Sequence, residues 1–113
     1  MAAAKYVPDR GDVVWIDFNP QAGHEQTGKR PALVLSPKAY NEQVGLMLCC
    51  PITTKIKGYP FEVSITAIDR PGVVLSDQIK SVDWRARNAK KAGTVERALV
   101  RDVIAKTKAL LTV

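Results

Sequence analysis

The feature of this sequence that most constrains its fold is a change in hydrophobic period near residue 95. Before that point, short segments rich in β-branched and aliphatic residues alternate with turns that contain Gly, Pro or charged residues. After it, apolar residues recur at helical spacing, at Leu99, Val100, Val103, Ile104, Leu110 and Leu111. Many short strands followed by one helix predict a mainly β, α+β fold, in which a C-terminal helix covers a small, strongly curved antiparallel sheet or barrel.

The first two strand-like segments differ in how their apolar residues are spaced. Residues 12–18 alternate, which places Trp15 on one face and a predicted core set on the other: Val14, Ile16 and Phe18. Residues 31–36 are apolar almost throughout and are predicted to form a strand that is buried on both faces.

The remaining predicted elements are shorter. Further strands are predicted at residues 45–51 and 61–65, and the first of these is expected to stop at Pro51. Residues 72–75 and 78–82 are predicted to form one long strand or two short ones. Residues 38–43 are predicted to form a short helical turn. Thr94 follows a glycine and is the N-cap candidate of the final helix.

Length and cysteine usage limit the class of protein. The 113 residues suit one compact domain, residues 1–113. Cys49 and Cys50 are adjacent, so they do not meet ordinary disulfide geometry, and no cluster of zinc ligands accompanies them. The first residues lack the apolar core of a signal peptide, and no apolar run reaches the roughly 20 residues of a membrane span. We therefore expect a cytoplasmic protein with no membrane association, no metal and no other cofactor.

The charge balance favours an anionic partner. Seventeen basic residues against eleven acidic ones give a formal net charge of +6. The basic residues cluster at residues 29–30, 55–57 and 80–91, and Trp15, Tyr59 and Trp84 lie among them. This combination is typical of proteins that bind single-stranded nucleic acid, where cations meet phosphates and aromatic rings stack on bases. A solvated charged face around a buried Trp84 explains residues 80–91 at least as well.

The loop at residues 23–31 combines a histidine, a carboxylate and a guanidinium in His24, Glu25 and Arg30. RNA carries its own nucleophile, because the 2′-hydroxyl can attack the adjacent phosphate once a base removes its proton. A cation that stabilises the added charge and a donor for the leaving oxygen complete the requirement, so no metal ion is needed. DNA lacks this hydroxyl and usually requires metal-activated water. The alternative for Glu25 and Arg30 is an ordinary loop salt bridge.

Six motifs in a fixed order extend over nearly the whole chain. They are YVPDRGD at residues 6–12, GHEQTGKRPALVLSP at 23–37, PITT at 51–54, KGYPFEV at 57–63, DQIKS at 77–81 and WRAR at 84–87. Together they resemble the MazF/PemK (Kid) family of toxin endoribonucleases, or mRNA interferases, and most of all its MazF branch. The resemblance implies an SH3-like small barrel of antiparallel strands, of the CcdB/PemK plasmid-maintenance type, with a C-terminal helix and assembled as a homodimer.

The same resemblance implies the toxin component of a type II toxin–antitoxin system. Such a protein is expected to cut single-stranded mRNA at short motifs without a metal ion, leaving 2′,3′-cyclic phosphate and 5′-hydroxyl ends, and so to inhibit translation and growth. A motif containing ACA is the first to test. The implied protein partner is a MazE-like antitoxin that lays an acidic, partly disordered tail over the RNA-binding groove, in agreement with the charge of +6.

Matched position by position, the resemblance implies three catalytic residues, Glu25, Arg30 and Thr54. Arg30 is expected to stabilise the phosphorane charge, Thr54 to donate to a phosphoryl oxygen, and Glu25 to act as a base or to position the 2′-hydroxyl. The candidate RNA-binding residues are Trp15, His24, Lys57, Asp77, Gln78, Lys80 and Arg87. Asp77 matches an aspartate used in the PemK branch, but the arginine expected two positions earlier is Leu75 here.

The main alternative is a non-catalytic binding module of the same fold, comparable to a gyrase poison or to an antitoxin-binding relative. Fold alone does not decide between binding and cleavage. The loop at residues 23–31 together with Thr54 favours RNA cleavage, because a gyrase poison does not need these residues.

Overall fold

The computed structural model describes residues 5–17, 28–66 and 69–113. Within these residues the chain forms seven strands and two helices: β1 (Asp12–Asp17), β2 (Lys29–Val34), α1 (Lys38–Val44), β3 (Leu46–Thr53), β4 (Glu62–Ile65), β5 (Gly72–Leu75), β6 (Lys80–Asp83), β7 (Lys90–Thr94) and α2 (Arg97–Ala109). This order confirms the predicted succession of short strands with a C-terminal helix. The predicted helical turn is α1.

The strands form one antiparallel sheet in the order β4-β5-β3-β2-β1-β7, with β6 paired to β3. The sheet divides at β3. One edge of β3 pairs with β2, while the other edge pairs with β6 along residues 46–49 and with β5 at residues 52–53. Because β3 has three partners, the sheet curls into a half-barrel, which confirms the predicted curved antiparallel sheet.

Each face of the curled sheet carries a hydrophobic cluster. The helix core packs α2 against the sheet and consists of Val13, Leu33, Leu35, Cys50, Ile52, Val63, Ile65, Val74, Val100 and Val103. The Trp84 core consists of Val14, Ile16, Ala32, Val34, Met47, Cys49, Val82 and Trp84. Ala32 and Val34 of β2 enter the Trp84 core and Leu33 enters the helix core, which confirms burial on both faces for the apolar half of this strand.

The alternation predicted for β1 is confirmed where the structure describes it. Val14 and Ile16 are buried in the Trp84 core. Val13 is equally buried on the opposite face, because the helix core lies there. Trp15 shares the face of Val13 and is half-buried, and Phe18 lies outside the described residues.

The prediction that the third strand stops at Pro51 is wrong, because β3 continues to Thr53. Leu35 N donates to Leu48 O at 2.8 Å, and the alternation of an antiparallel ladder then turns the backbone N of Pro51 away from β2. The other edge of β3 pairs with β6 up to residue 49 and with β5 from residue 52, and Pro51 lies between these two stretches. The missing N–H of proline is tolerated at this change of partner.

The start of α2 also differs from the prediction. Thr94 is the last residue of β7, so its assignment as the N-cap is wrong. The N-cap position belongs to Glu96, whose side chain makes no capping hydrogen bond. The helix therefore begins two residues later than an N-cap at Thr94 would place it.

The apolar stripe of α2 is only partly buried. Val100 and Val103 pack into the helix core as predicted. Three other apolar residues at the same helical spacing do not join this core: Ile104 on α2 is 36% exposed, and Leu110 and Leu111, which follow the helix, are 53% and 73% exposed. No helix in the described part of the chain is long and apolar enough to cross a membrane.

The basic segment at residues 80–91 belongs to the sheet. It contains β6, a turn and the start of β7, which pairs with β1. Trp84 in the turn is only 6% exposed, and its Nε1 donates to Asn41 O at 2.9 Å. The alternative in which Trp84 is a core residue is thereby confirmed. The sequence does not predict β7, because Lys, Ala and Gly are poor strand formers.

Candidate functional site

A cavity of about 480 Å³ opens beside the Trp84 core. Buried apolar side chains form its floor: Ile16, Ala32, Ile52 and Val82. More exposed cationic side chains border it: Arg30, Lys55, Lys57, Lys80 and Arg87. The other described residues that line it are Pro31, Cys49, Pro51, Thr53, Tyr59, Glu62, Leu75, Gln78 and Ser81. An apolar floor beneath concentrated positive charge suits an anionic ligand that carries flat apolar groups.

Arg30 reaches the cavity from β2, where it is paired with Ile16 of β1. The following Pro31 disfavours helical backbone at Arg30, and Arg30 lies in an extended strand as the sequence predicts. Lys29, the preceding residue, instead forms an ion pair with Asp17, with 2.9 Å between Nζ and Oδ1. Alternation along β2 therefore places the guanidinium of Arg30 at the cavity, whereas Lys29 joins the first residue of β2 to the last residue of β1.

Arg87 is held beside the cavity by the turn between β6 and β7. Its Nη1 donates to Asp17 O at 3.0 Å, and Asp17 N donates to Arg87 O at 2.9 Å. Asn88 has a φ of 54° and donates to Asp17 Oδ2 at 2.8 Å. The hydrogen bond from Asn88 and the contact with Lys29 lower the pKa of the Asp17 carboxyl. This carboxylate therefore remains an acceptor for the turn at neutral pH.

Lys80 and Cys49 face each other across the pair formed by β6 and β3. Both line the cavity, Cys49 from its buried floor. Burial raises the pKa of the Cys49 thiol to about 11, although the charges of Lys80 and Arg87 partly oppose the shift. The thiol is therefore protonated at neutral pH and does not supply a nucleophile to the cavity.

A basic loop, residues 54–60, connects β3 to β4 along one side of the cavity. Lys55, Lys57 and Tyr59 of this loop line the cavity. Thr53, the last residue of β3, lines it as well, and its Oγ1 accepts a hydrogen bond from Lys55 N at 3.1 Å. Thr54 is exposed and lies outside the lining.

The structure brings together five of the residues selected from the sequence: Arg30, Lys57, Gln78, Lys80 and Arg87. Three others lie outside the described lining. Thr54 and Asp77 are exposed, and Trp15 lies on the face of β1 opposite Ile16. Glu25 and His24 lie outside the described residues.

Several lining residues are missed by reasoning from the sequence. Thr53, Glu62 and Ser81 carry no signal of their own, because isolated Ser, Thr and Glu occur on any protein surface. Lys55 and Tyr59 are noted as basic and aromatic but are not selected for the site. The order of elements could have found two of these residues, since Thr53 ends β3, Glu62 begins β4, and the basic loop joins the two strands.

Comparison with known proteins gives consistent matches along the chain. Residues 9–111 match the family model described as PemK-like, MazF-like toxin of type II toxin-antitoxin system. The endoribonuclease toxin MazF of Escherichia coli K12 is 52% identical over 108 residues, which cover 96% of this chain and 97% of that protein. The crystal structure of MazF from Deinococcus radiodurans is similar with a TM-score of 0.83 and 52% identity, covering 95% of this chain and 98% of that chain. The crystal structure of a MazE–MazF complex from the same organism is similar with a TM-score of 0.83 and 44% identity. The match covers 95% of this chain and 97% of that chain.

Proposed function

Because this chain belongs to the PemK-like, MazF-like family of toxins of type II toxin–antitoxin systems, we propose that it is a metal-independent endoribonuclease that cleaves single-stranded RNA at short sequence motifs. The observation that carries the proposal is the convergence of Arg30, Lys57, Lys80 and Arg87 over an apolar floor in one cavity. Spaced cations suit the phosphates of a single strand, and the floor suits its unstacked bases. The activity named for the similar MazF of Escherichia coli supports the same conclusion.

In the proposed reaction the RNA supplies the nucleophile. The 2′-hydroxyl loses its proton, O2′ bonds to phosphorus, and the bond from phosphorus to O5′ breaks as O5′ takes up a proton. The products are a 2′,3′-cyclic phosphate and a 5′-hydroxyl. Arg30 is assigned to the charge of the phosphorane, because guanidinium groups remain protonated in proteins and stabilise anions at fixed geometry. On the family resemblance, Glu25 is assigned as base or positioner of the 2′-hydroxyl and Thr54 as donor to a phosphoryl oxygen.

The test of this function is incubation of the purified protein with RNA of mixed sequence in excess EDTA, followed by mapping of the new 5′ ends. We expect discrete cut sites that share a short motif, with 5′-hydroxyl ends and cyclic phosphates on the upstream fragments. Cutting that appears only after magnesium is restored would contradict the metal-independent mechanism. Binding of RNA without cleavage would favour the non-catalytic module instead.

We propose a MazE-like antitoxin with an acidic tail as the protein partner, and the existence of a MazE–MazF complex among the similar structures supports this. An acidic segment would compete with RNA for the cations that border the cavity. A synthetic peptide rich in Asp and Glu, with interspersed apolar residues, should therefore displace labelled oligonucleotide. The control is a peptide of equal length in which Lys replaces the acidic residues. The proposed mode of inhibition would be contradicted if neither peptide displaced the oligonucleotide.

We further propose that residues 1–113 form one toxin domain that acts in the cytoplasm as a homodimer. Five apolar side chains are exposed on β3, before β6, on α2 and just after α2, and we propose that a second copy covers them: Leu48, Ile79, Ile104, Leu110 and Leu111. Removing such side chains from water contributes roughly 25 cal/mol for each Å² of apolar surface buried. Light scattering should give twice the mass of the 12.4 kDa chain. A monomer at micromolar concentration would contradict the proposal.

A further inference from the structure

The conformation of the basic loop (residues 54–60) is set by a carboxylate outside it. Lys57 N and Gly58 N donate to the two carboxylate oxygens of Glu62 at 3.0 and 2.8 Å. Hydrogen bonds between backbone N–H groups and an ionised carboxylate are stronger than neutral ones. Gly58 has a φ of 85°, a left-handed conformation in which a side chain would be strained. These contacts fix the backbone immediately before Tyr59.

The side chain of Tyr59 is fixed separately, by Asp77. The Tyr59 hydroxyl donates to Asp77 Oδ1 at 2.9 Å and lies 3.2 Å from Oδ2. Asp77 lies outside the lining of the cavity, whereas Tyr59 is part of it. The Tyr59 ring also packs beside Phe61, with 6.5 Å between ring centroids. Asp77 and Phe61 thus hold an aromatic ring at the edge of the cavity.

We propose that Asp77 is a positioning residue that acts on bound RNA through Tyr59, and that the Tyr59 ring stacks on a nucleobase in the cavity. The inference rests on the proposed RNA-binding function. Stacking is tighter on a ring that is held in place before binding, because less side-chain freedom is then lost. Direct contact of Asp77 with RNA is disfavoured, since a carboxylate repels phosphates and both of its oxygens are already near the Tyr59 hydroxyl.

The experiment is a double-mutant cycle on binding of a fluorescein-labelled single-stranded oligodeoxynucleotide of mixed sequence, which lacks the 2′-hydroxyl and stays intact. Asp77→Ala removes the acceptor, and Tyr59→Phe removes the hydroxyl but keeps the ring. We expect each change to raise Kd about fivefold, and the double variant to raise it no further, because both changes break the same contact. In the cleavage assay the same variants should raise KM and leave kcat within about twofold.

Two further variants separate positioning from charge and from stacking. Asp77→Asn keeps an amide oxygen that can accept from the Tyr59 hydroxyl, so its Kd should stay within about twofold of the wild type. Tyr59→Leu removes the ring, and its Kd should exceed that of Tyr59→Phe by a further factor of about ten. The matched control is Glu96→Ala, because Glu96 is an exposed carboxylate whose side chain makes no capping hydrogen bond.

Several outcomes would overturn the inference. If Asp77→Ala raises Kd by the same factor in the Tyr59→Phe variant as in the wild type, Asp77 acts without Tyr59. Asp77→Asn that is as impaired as Asp77→Ala would show that the charge itself is needed. If Tyr59→Phe binds the oligonucleotide as tightly as the wild type, the hydroxyl has no role. This variant leaves Asp77 intact, so its result does not depend on how Asp77→Ala folds.

Failure of the proposed function would look different. Wild-type protein that binds the oligodeoxynucleotide but leaves RNA uncut would refute cleavage and still allow the coupling between Asp77 and Tyr59 to be measured. Wild-type protein that neither binds the oligodeoxynucleotide nor cuts RNA would refute both. The contact also has a readout without RNA, because the hydrogen bond to Asp77 raises the pKa of the Tyr59 phenol. Asp77→Ala should lower that pKa in an NMR titration of ring-labelled tyrosine, and an unchanged value would overturn the contact.

Discussion

Arg30 is the lining cation for which the proposed reaction has the most specific use. We expect Arg30→Ala to lower the single-turnover rate of RNA cleavage in EDTA at least about 100-fold, because loss of one donor to a developing oxyanion costs about 3 kcal/mol. The mass from light scattering should be unchanged, since Arg30 is an exposed residue of β2 that contributes no apolar core.

The control for this prediction removes the same charge elsewhere. Arg101 is an exposed arginine of α2 outside the cavity lining, so Arg101→Ala should cleave RNA at close to the wild-type rate. Equal losses in the two variants would attribute the effect to net charge. Full activity of Arg30→Ala would remove this residue from the reaction.

The two cysteines also have properties set by their own surroundings. Burial is the main cause that raises the pKa of the Cys49 and Cys50 thiols, to about 11 and about 12. The reactive species is the thiolate, so neither cysteine of the folded protein should react with iodoacetamide at pH 8 while the protein unfolded in guanidinium reacts fully. Mass spectrometry of timed samples measures the difference. Rapid modification of the folded protein would contradict the burial of both thiols.

The same pKa shifts give a pH dependence with a definite sign. A thiol whose pKa is raised on folding contributes stability that is complete below the unfolded value of about 8.5. That contribution is lost as the pH rises toward the folded values of about 11 and about 12. The free energy of unfolding should therefore fall from pH 8 upward, and a Cys49→Ser, Cys50→Ser double variant should show a smaller fall.

At the scale of elements, β3 shows how a strand's partners override a local signal. A proline usually ends a strand because it has no N–H to donate. In β3 that missing donor falls at the change of partner from β6 to β5, and the position of the change depends on residues 72–83. Likewise, β7 forms from residues of low strand propensity because β1 offers it a free edge. No pattern near either segment carries this information.

Gly72 allows β5 to approach β3 closely. A Cβ at this position would lie 2.7 Å from Thr53 O, a backbone atom that cannot rotate away. Gly72→Ala should therefore displace β5 and lower the free energy of unfolding by about 1–3 kcal/mol in urea titrations. Ser64→Ala, at an exposed position of the neighbouring strand β4, should change it by less than about 0.5 kcal/mol. A Gly72→Ala variant as stable as the wild type would mean that the β3–β5 pair accommodates the extra carbon.

At the scale of the whole molecule, the net charge of +6 matters less than its distribution. Lys55 and Lys57 border the cavity, whereas Arg101 and Lys108 are exposed on α2. Replacing both loop lysines by Gln should reduce the slope of log K against log salt by about 1.4, because each single-strand phosphate contact contributes about 0.7. The matched double replacement of Arg101 and Lys108 by Gln should leave the slope nearly unchanged. Equal slopes in the two double variants would refute a local binding groove.

The sequence by itself determined the properties that depend on neighbours along the chain. Alternation in residues 12–18 predicted the burial of Val14 and Ile16, and Pro31 predicted extended backbone at Arg30. The helical period after residue 95 predicted α2, although not its N-cap or the exposure of its last apolar residues. These signals are local, because backbone preference and side-chain period act over a few residues. The ordered motifs, in addition, identified the family.

Only the tertiary structure decided which of these residues meet. Arg30 of β2, Lys57 of the basic loop and Lys80 of β6 border one cavity because β3 pairs with β2 on one edge and with β6 and β5 on the other. Trp84 became core and Tyr59 became lining, although both looked like aromatic candidates in the sequence. Which strand pairs with which is set by contacts between distant segments, so composition and period cannot reveal it.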